Sequence, residues 1–115
     1  MPFIRITTMP PVAPDRQNAL LKSVSKTVSQ ATGKPESVMM VALDNGIFLM
    51  DGTEGNAAFV DVRGIGGLSG NVNVTITRAL CALFEKELQI PPSRIYLTFT
   101  DVAASNWGWN NRTFG

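Results

Sequence analysis

The sequence contains no histidine and only one cysteine, Cys81, and these two shortages remove several common kinds of functional site. Without histidine, imidazole cannot act as a catalytic base or as a metal ligand. One cysteine can neither form a disulfide within the chain nor supply the thiolate pair of a typical zinc site. No glycine-rich phosphate loop of the Walker type occurs either. The sequence therefore offers no recognisable metal or cofactor site.

Charged residues are also scarce, at 17% of the 115 residues, and the formal net charge is +1. No cluster of basic residues stands out, which argues against nucleic acid and anionic membranes as partners. No apolar run approaches the ~20 residues of a membrane span, and no signal peptide is visible. We expect one cytoplasmic domain over residues 1–115, with some of its weakly charged surface hidden in an oligomer.

The pattern of apolar residues predicts five strands and two helices. Helical spacing from Leu20 to Ala31 predicts a first helix, capped by Asp15 and ended by Gly33. A second helix is predicted over 72–88, although its first residues also alternate like a strand. The predicted strands cover residues 3–8, 38–43, 47–50, 58–63 and 92–99.

The two halves of the sequence resemble each other at a constant offset of 56 positions (91 − 35). Residues 35–41 match 91–97, and residues 3–6 match 59–62 at the same offset. The chain therefore reads as two βαβ pseudo-repeats, 1–57 and 58–115. Such units predict an α+β fold in which a four-stranded mixed sheet carries both helices on one face. The other face then needs cover, which further subunits would supply.

Pro2 is a candidate general base because removal of Met1 would leave it as a free secondary amine. An α-amino group titrates near 7.7–8.0 when unperturbed, and apolar or cationic surroundings lower its pKa. The alternative is that Met1-Pro2 is an ordinary start with no chemistry attached. The amine alone does not decide between these interpretations.

Other polar candidates also have a structural alternative. Lys34 either complements the dipole at the end of the first helix, worth about 0.3–1 kcal/mol, or holds a substrate carboxylate. The glycine-rich segment 64–70 is either a strand-to-helix turn or an anion-binding loop. Arg63 is expected on the solvated side of its strand. Cys81 and Tyr96 are more typical of core or interface positions.

The last ten residues are unusually aromatic, since Trp107, Trp109 and Phe114 all fall within them. An aromatic terminus is normally buried, either against its own core or against a neighbouring subunit.

Five segments together carry a resemblance that none carries alone: Pro2, 31–35, 65–66, 94–96 and 109–114. Along essentially its whole length the chain resembles the macrophage migration inhibitory factor family of the tautomerase superfamily. The resemblance implies a homotrimer whose sheets form an inner β-barrel. It also implies three active sites at subunit boundaries, each opening onto an N-terminal proline.

By this resemblance Pro2 is the catalytic base once Met1 is lost, whereas a retained Met1 makes its nitrogen a tertiary amide and the protein inactive. Lys34 would hold the substrate carboxylate with help from the Ile65 backbone. Tyr96 would come from the adjacent subunit, and Trp109 and Phe114 would form an apolar wall. Thr98 and Trp107 are also implied site residues, but the family's best-known member has asparagine and valine at these two positions.

The implied activity is a cofactor-independent keto–enol tautomerase for phenylpyruvate-like and dopachrome-like aromatic 2-oxo acids. The alternative is a cytokine-like protein that leaves the cell by a leaderless route and engages a host cell-surface receptor with an idle pocket. A purely structural trimer is the third hypothesis. The family's Cys-x-x-Cys pair is replaced by residues 57–60 without cysteine, so thiol oxidoreductase activity is not expected.

Overall fold

A computed structural model describes all residues, 1–115, as a four-stranded sheet with two α-helices and a small C-terminal hairpin. Neither helix is long and apolar enough to cross a membrane. The strands are β1 (Pro2–Met9), β2 (Met40–Asn45), β3 (Ala57–Gly64), β4 (Ile95–Asp101), β5 (Gly108–Trp109) and β6 (Arg112–Thr113), and the helices are α1 (Pro14–Thr32) and α2 (Gly70–Leu88).

The main sheet has the strand order β2-β1-β3-β4. β1 runs parallel to β2 and β3 runs parallel to β4, because a helix crosses over within each pair. The two pairs meet at the antiparallel contact between β1 and β3. The predicted four-stranded mixed sheet with two helices is therefore confirmed.

The hydrophobic core lies on the face of the sheet where the helices pack. Strands expose alternate residues to opposite faces, so every second residue of β1 and β3 enters this core. Its members from the sheet include Ile4, Ile6, Val60 and Val62, and those from the helices include Leu20, Val24, Val28, Ile76, Leu80 and Phe84.

The opposite face of the central strands carries charged residues. Arg5 donates to Asp44 on β2, with 2.7 Å between Nη2 and Oδ2, and lies opposite Asp61 in the β1–β3 register. Asp61 in turn accepts from Nη2 of Arg63 at 3.0 Å. The hydrogen bond from Arg5 lowers the pKa of the Asp44 carboxyl. Arg5, Asp44 and Arg63 stay about half exposed, so this face has no core of its own.

The two halves of the molecule repeat the same elements at one spacing. Both helices contain 19 residues, and their first residues lie 56 positions apart (70 − 14). Short 3₁₀ turns follow at 36–38 and 92–94 with the same separation. Each helix ends at a left-handed residue, Gly33 with φ 73° and Gln89 with φ 54°. The equivalence therefore extends to the backbone conformation of the caps.

Several predicted boundaries and one whole strand were wrong. The strands predicted over 38–43 and 92–99 begin at Met40 and Ile95, after short 3₁₀ turns. Asp15 does not cap α1: Ala13 precedes the helix and Pro14 opens it, since the fixed φ of proline suits the first helical position. α2 begins at Gly70, two residues before the predicted start, because the hydroxyl of Ser69 accepts from Val72 N. Residues 47–50 form no returning strand; Met50 bridges Thr53 across a tight turn instead.

Arg94 fastens the segment between β2 and β3 to the start of β4. Its guanidinium donates to three backbone carbonyls, those of Asn56 at 2.8 Å, Thr53 at 2.9 Å and Met50 at 3.1 Å. Five donors in one rigid plane allow arginine to make such a set of bonds, which the single ammonium of lysine could not reproduce. This side chain therefore has a structural role.

Candidate active site

A cavity of about 500 Å³ opens where β1 begins. Eight of its 13 lining residues are hydrophobic, a composition typical of small-molecule sites. It lies between the N-terminus, the start of β2 and the C-terminal tail. The lining residues used below are Met1, Pro2, Phe3, Arg63, Trp107 and Trp109.

The amino group at this cavity has a lowered pKa. In the structure it belongs to Met1, which is half-buried beside the buried Pro2. Burial is the main cause of the lowered pKa, because it penalises the ammonium form, and the charge of Lys34 lowers the pKa further. An amine at this place is therefore neutral at a lower pH than an ordinary α-amino group.

Lys34 is clamped by backbone carbonyls rather than left free at the helix end. Its Nζ donates to Ile65 O at 2.6 Å and to Gly66 O at 2.9 Å. The clamp needs a glycine at 67, where φ is +78° and an added Cβ would come within 2.8 Å of the Lys34 Cε. The segment 64–70 thus turns carbonyl oxygens toward a cation, which favours the turn interpretation over an anion-binding loop.

The end of β4 holds this clamp in place. Asp101 accepts from Gly66 N at 2.9 Å through Oδ1, and Val102 N donates to Gly64 O at 2.8 Å. The peptide of Gly66 is therefore fixed at both ends, by Asp101 at its nitrogen and by Lys34 at its oxygen.

No cluster of three or more carboxylate or thiol side chains that could hold a metal ion occurs in the chain.

The C-terminal tail forms the aromatic wall of the cavity. Asn110 and Asn111 both have positive φ, 52° and 67°, which makes the two-residue turn of the β5–β6 hairpin. This turn brings Phe114 onto Trp109, with ring centroids 5.8 Å apart and planes inclined by 8°. Trp109 lines the cavity, whereas Phe114 stacks on Trp109 without lining it. Trp109 nevertheless stays 52% exposed within one chain.

The structure brings only some of the predicted site residues to this cavity. Pro2, Trp107 and Trp109 line it, and Lys34 reaches its amino group with the Ile65 carbonyl as its partner. Tyr96 and Thr98 lie on exposed positions of β4 and do not line the cavity of the same chain.

Sequence reasoning missed Arg63, which lines the cavity. The pairing register of β1 with β3 would have revealed it, because Arg63 lies opposite Phe3 and so beside the N-terminus. Cys81 lies in the core as expected, and burial, with a smaller contribution from Glu85, raises the pKa of its thiol.

A sequence profile of the family described as macrophage migration inhibitory factor matches residues 1–115. The chain belongs to this family. One member, the macrophage migration inhibitory factor homolog of Brugia malayi, is 34% identical over 116 residues, covering 100% of each chain. The resemblance seen in the sequence is confirmed.

Solved structures of other family members have the same fold. The macrophage migration inhibitory factor of Toxoplasma gondii matches with a TM-score of 0.93 and 38% identity, covering 97% of this chain and 99% of that one. The homologue from Prochlorococcus marinus matches with a TM-score of 0.91 and 36% identity, over 98% and 99% of the two chains. The predicted α+β fold of the family therefore holds across nearly the whole chain.

Proposed function

We propose that this protein is a keto–enol tautomerase for phenylpyruvate-like, and also dopachrome-like, aromatic 2-oxo acids. The observation that carries the proposal is the lowered pKa of the Met1 amino group at an apolar cavity, next to Lys34, because the Pro2 nitrogen would meet the same surroundings once Met1 is removed. A neutral amine near pH 7 is the property that a general base requires. Membership of the family supports the same activity.

The reaction needs one base and no cofactor. Removal of Met1 turns the Pro2 nitrogen from a tertiary amide into a secondary amine at the cavity. That amine takes a proton from the carbon next to the keto group, and the electron pair of the C–H bond forms the carbon–carbon double bond. The π electrons of the C=O bond move to its oxygen, which takes the proton back from the prolinium ion to give the enol, and the reverse steps return the ketone.

Lys34 is proposed to hold the 2-oxo acid end of the substrate. Two of its three ammonium protons are used by the carbonyls of Ile65 and Gly66, which fixes its direction. We propose that the third ammonium proton, which no backbone carbonyl accepts, binds the carboxylate. Trp107 and Trp109 supply flat apolar surface for the aromatic ring.

Tyr96 and Thr98 are proposed to complete the site of a neighbouring subunit in a homotrimer. The exposed side chains of Met40, Ile47 and Leu49 give such subunits apolar surface to cover. Light scattering on purified protein should give three times the chain mass of 12.4 kDa. A mass of one chain would remove both residues from the site.

The activity is tested by following the ultraviolet absorbance of an arylpyruvate enol as it converts to the ketone. Mass spectrometry must first show that Met1 is absent. Because general base catalysis contributes about 10²–10⁴-fold, retaining Met1, which leaves the Pro2 nitrogen as an amide, should lower kcat/KM at least 100-fold. Pro2→Gly is the matched control: it keeps a free amine at the same place, although a primary and less rigid one, and should lose less activity. A rate of the Met1-retaining protein within about threefold of the Met1-free protein, under ~1 kcal/mol in barrier, would exclude the Pro2 nitrogen as the base.

The second candidate is a cytokine-like protein that binds a cell-surface receptor, and the name of the matching family favours it. In that case the protein acts outside the cell rather than in the cytoplasm. Receptor binding that survives retention of Met1 while tautomerase activity is lost would support this role. Undetectable binding to mammalian cells would leave the enzyme as the function.

A further inference from the structure

Arg63 is the only charged side chain that lines the cavity. It projects from β3 directly opposite Phe3, one register position from the pair formed by Pro2 and Gly64. Its side chain is 54% exposed, so the guanidinium is accessible. The walls on which a substrate ring would lie therefore include one cation.

The guanidinium of Arg63 retains unused hydrogen-bonding capacity. Nε and Nη2 donate to Oδ2 of Asp61 at 3.2 Å and 3.0 Å, while Nη1 donates to no protein atom. Arginine presents its donors in a rigid plane, so one edge can stay on Asp61 while the other binds a second anion.

Lys34 and Arg63 occupy different places around the reacting centre. Lys34 does not line the cavity; it lies at the amino group, held by the carbonyls of Ile65 and Gly66. Arg63 belongs to the wall itself, together with the two tryptophans. With about 500 Å³, the cavity is in the range of pockets for drug-sized ligands, while phenylpyruvate is only one ring and a three-carbon acid.

We propose that Arg63 selects aromatic 2-oxo acids that carry a second acidic group on the ring. This inference rests on the proposed tautomerase function, in which Lys34 takes the 2-oxo acid end. The ring then lies against Trp107 and Trp109, and the acidic substituent accepts from Nη1 of Arg63. An uncharged substituent of the same shape gains no charge-assisted hydrogen bond.

Two substrates of nearly equal shape test the proposal: para-carboxyphenylpyruvate and its neutral counterpart, para-carbamoylphenylpyruvate. The ratio of their kcat/KM values measures the contribution of the second charge alone. We expect the wild type to favour the diacid about tenfold, a moderate value because Arg63 is half exposed. Arg63→Gln should bring the ratio to about one.

Two further variants sharpen this test. Asp61→Asn removes the carboxylate that competes for Arg63, so the preference for the diacid should rise above that of the wild type. Arg78→Gln removes an exposed charge on α2, remote from the cavity, and should keep the wild-type ratio. Thermal melts of each variant separate misfolding from altered recognition.

Binding without turnover distinguishes failure of this inference from failure of the proposed function. Both tryptophans of the chain line the cavity, so their fluorescence reports occupancy. The protein should be titrated with para-carboxycinnamate and with para-carbamoylcinnamate, neither of which has a keto group. Tighter binding of the diacid that disappears in Arg63→Gln supports the inference even if no enol is converted. Equal binding of both compounds to the wild type, or a preference unchanged in Arg63→Gln, would overturn it.

Discussion

The two βαβ halves place different chemistry on equivalent backbone positions. After α1, the left-handed cap Gly33 is followed by Lys34; after α2, the left-handed cap Gln89 is followed by Ile90, at the same offset of 56 (90 − 34). Lys34 binds carbonyls next to the cavity, whereas Ile90 is 0% exposed in the core. The same main-chain path thus directs one side chain toward the candidate site and the other into the interior.

A second pair of equivalent positions differs in the same way. Pro2 begins β1 at the cavity, while Ala58, its counterpart in β3, is a core residue. Polar and reactive groups cost free energy inside a core, so a repeat can use them only where its environment opens to solvent or ligand. At these positions the first half therefore supplies the candidate reacting groups, and the second half supplies packing.

The largest effect is expected from giving the second half the side chain of the first. Ile90→Lys places an ammonium in a fully buried position, which should cost roughly 3–5 kcal/mol of unfolding free energy. Urea denaturation measures the loss. Ile90→Met, which nearly conserves volume, is the matched control and should cost less than about 1.5 kcal/mol. Equal stability of the two variants would mean that the lysine escapes to solvent and that the two positions differ less than described.

Substitutions at the two helix caps should change the free energy of unfolding less, and with opposite sign in the two halves. Gly33→Ala puts a Cβ at φ +73° with no atom within 4 Å, so only backbone strain acts, and it should destabilise by about 1 kcal/mol. Gln89→Gly relieves the same strain and should stabilise by about 1 kcal/mol. The melting temperatures of both variants, compared with that of the wild type, test these two predictions. Shifts of the same sign in both variants would contradict equivalence of the caps.

Neutralising Lys34 should change pH dependence more than stability. After burial, its charge is the next cause of the lowered pKa of the Met1 amine. The Pro2 amine left by removal of Met1 is expected to meet the same charge, so Lys34→Gln should raise its pKa. A raised pKa keeps the base protonated to higher pH, and the acid limb of the kcat/KM profile should move to higher pH. The exposed Lys26 on α1 gives the control, Lys26→Gln, whose profile should not move. An unmoved acid limb in Lys34→Gln would show that burial alone sets the pKa.

The repeat and the sheet were predictable because their signals are local. Alternation and helical spacing reveal β1, β3 and α1 directly, and the offset of 56 pairs them. The hairpin at Asn110 and Asn111 was missed, although two adjacent residues that tolerate positive φ are a known turn signal. Residues 47–50 misled because their apolar character suggests a strand, while Ile47 is 96% exposed in this chain.

The candidate site was predictable only in part. The resemblance pointed to Pro2, Lys34 and the tryptophans. Arg63 was missed because its place at the cavity depends on the pairing of β1 with β3, two strands far apart in sequence. The residues near Arg63 in the sequence do not reveal which strand pairs with β3 or in which register.

Arg94 affects the free energy with which a neighbouring subunit can bind. By binding the carbonyls of Met50, Thr53 and Asn56, it orders the segment that follows the protruding Ile47 and Leu49. Association normally loses entropy when mobile loops become fixed at an interface. A loop that the fold has already fixed loses little more, so the arginine lowers the entropic penalty of contacts that it does not itself make.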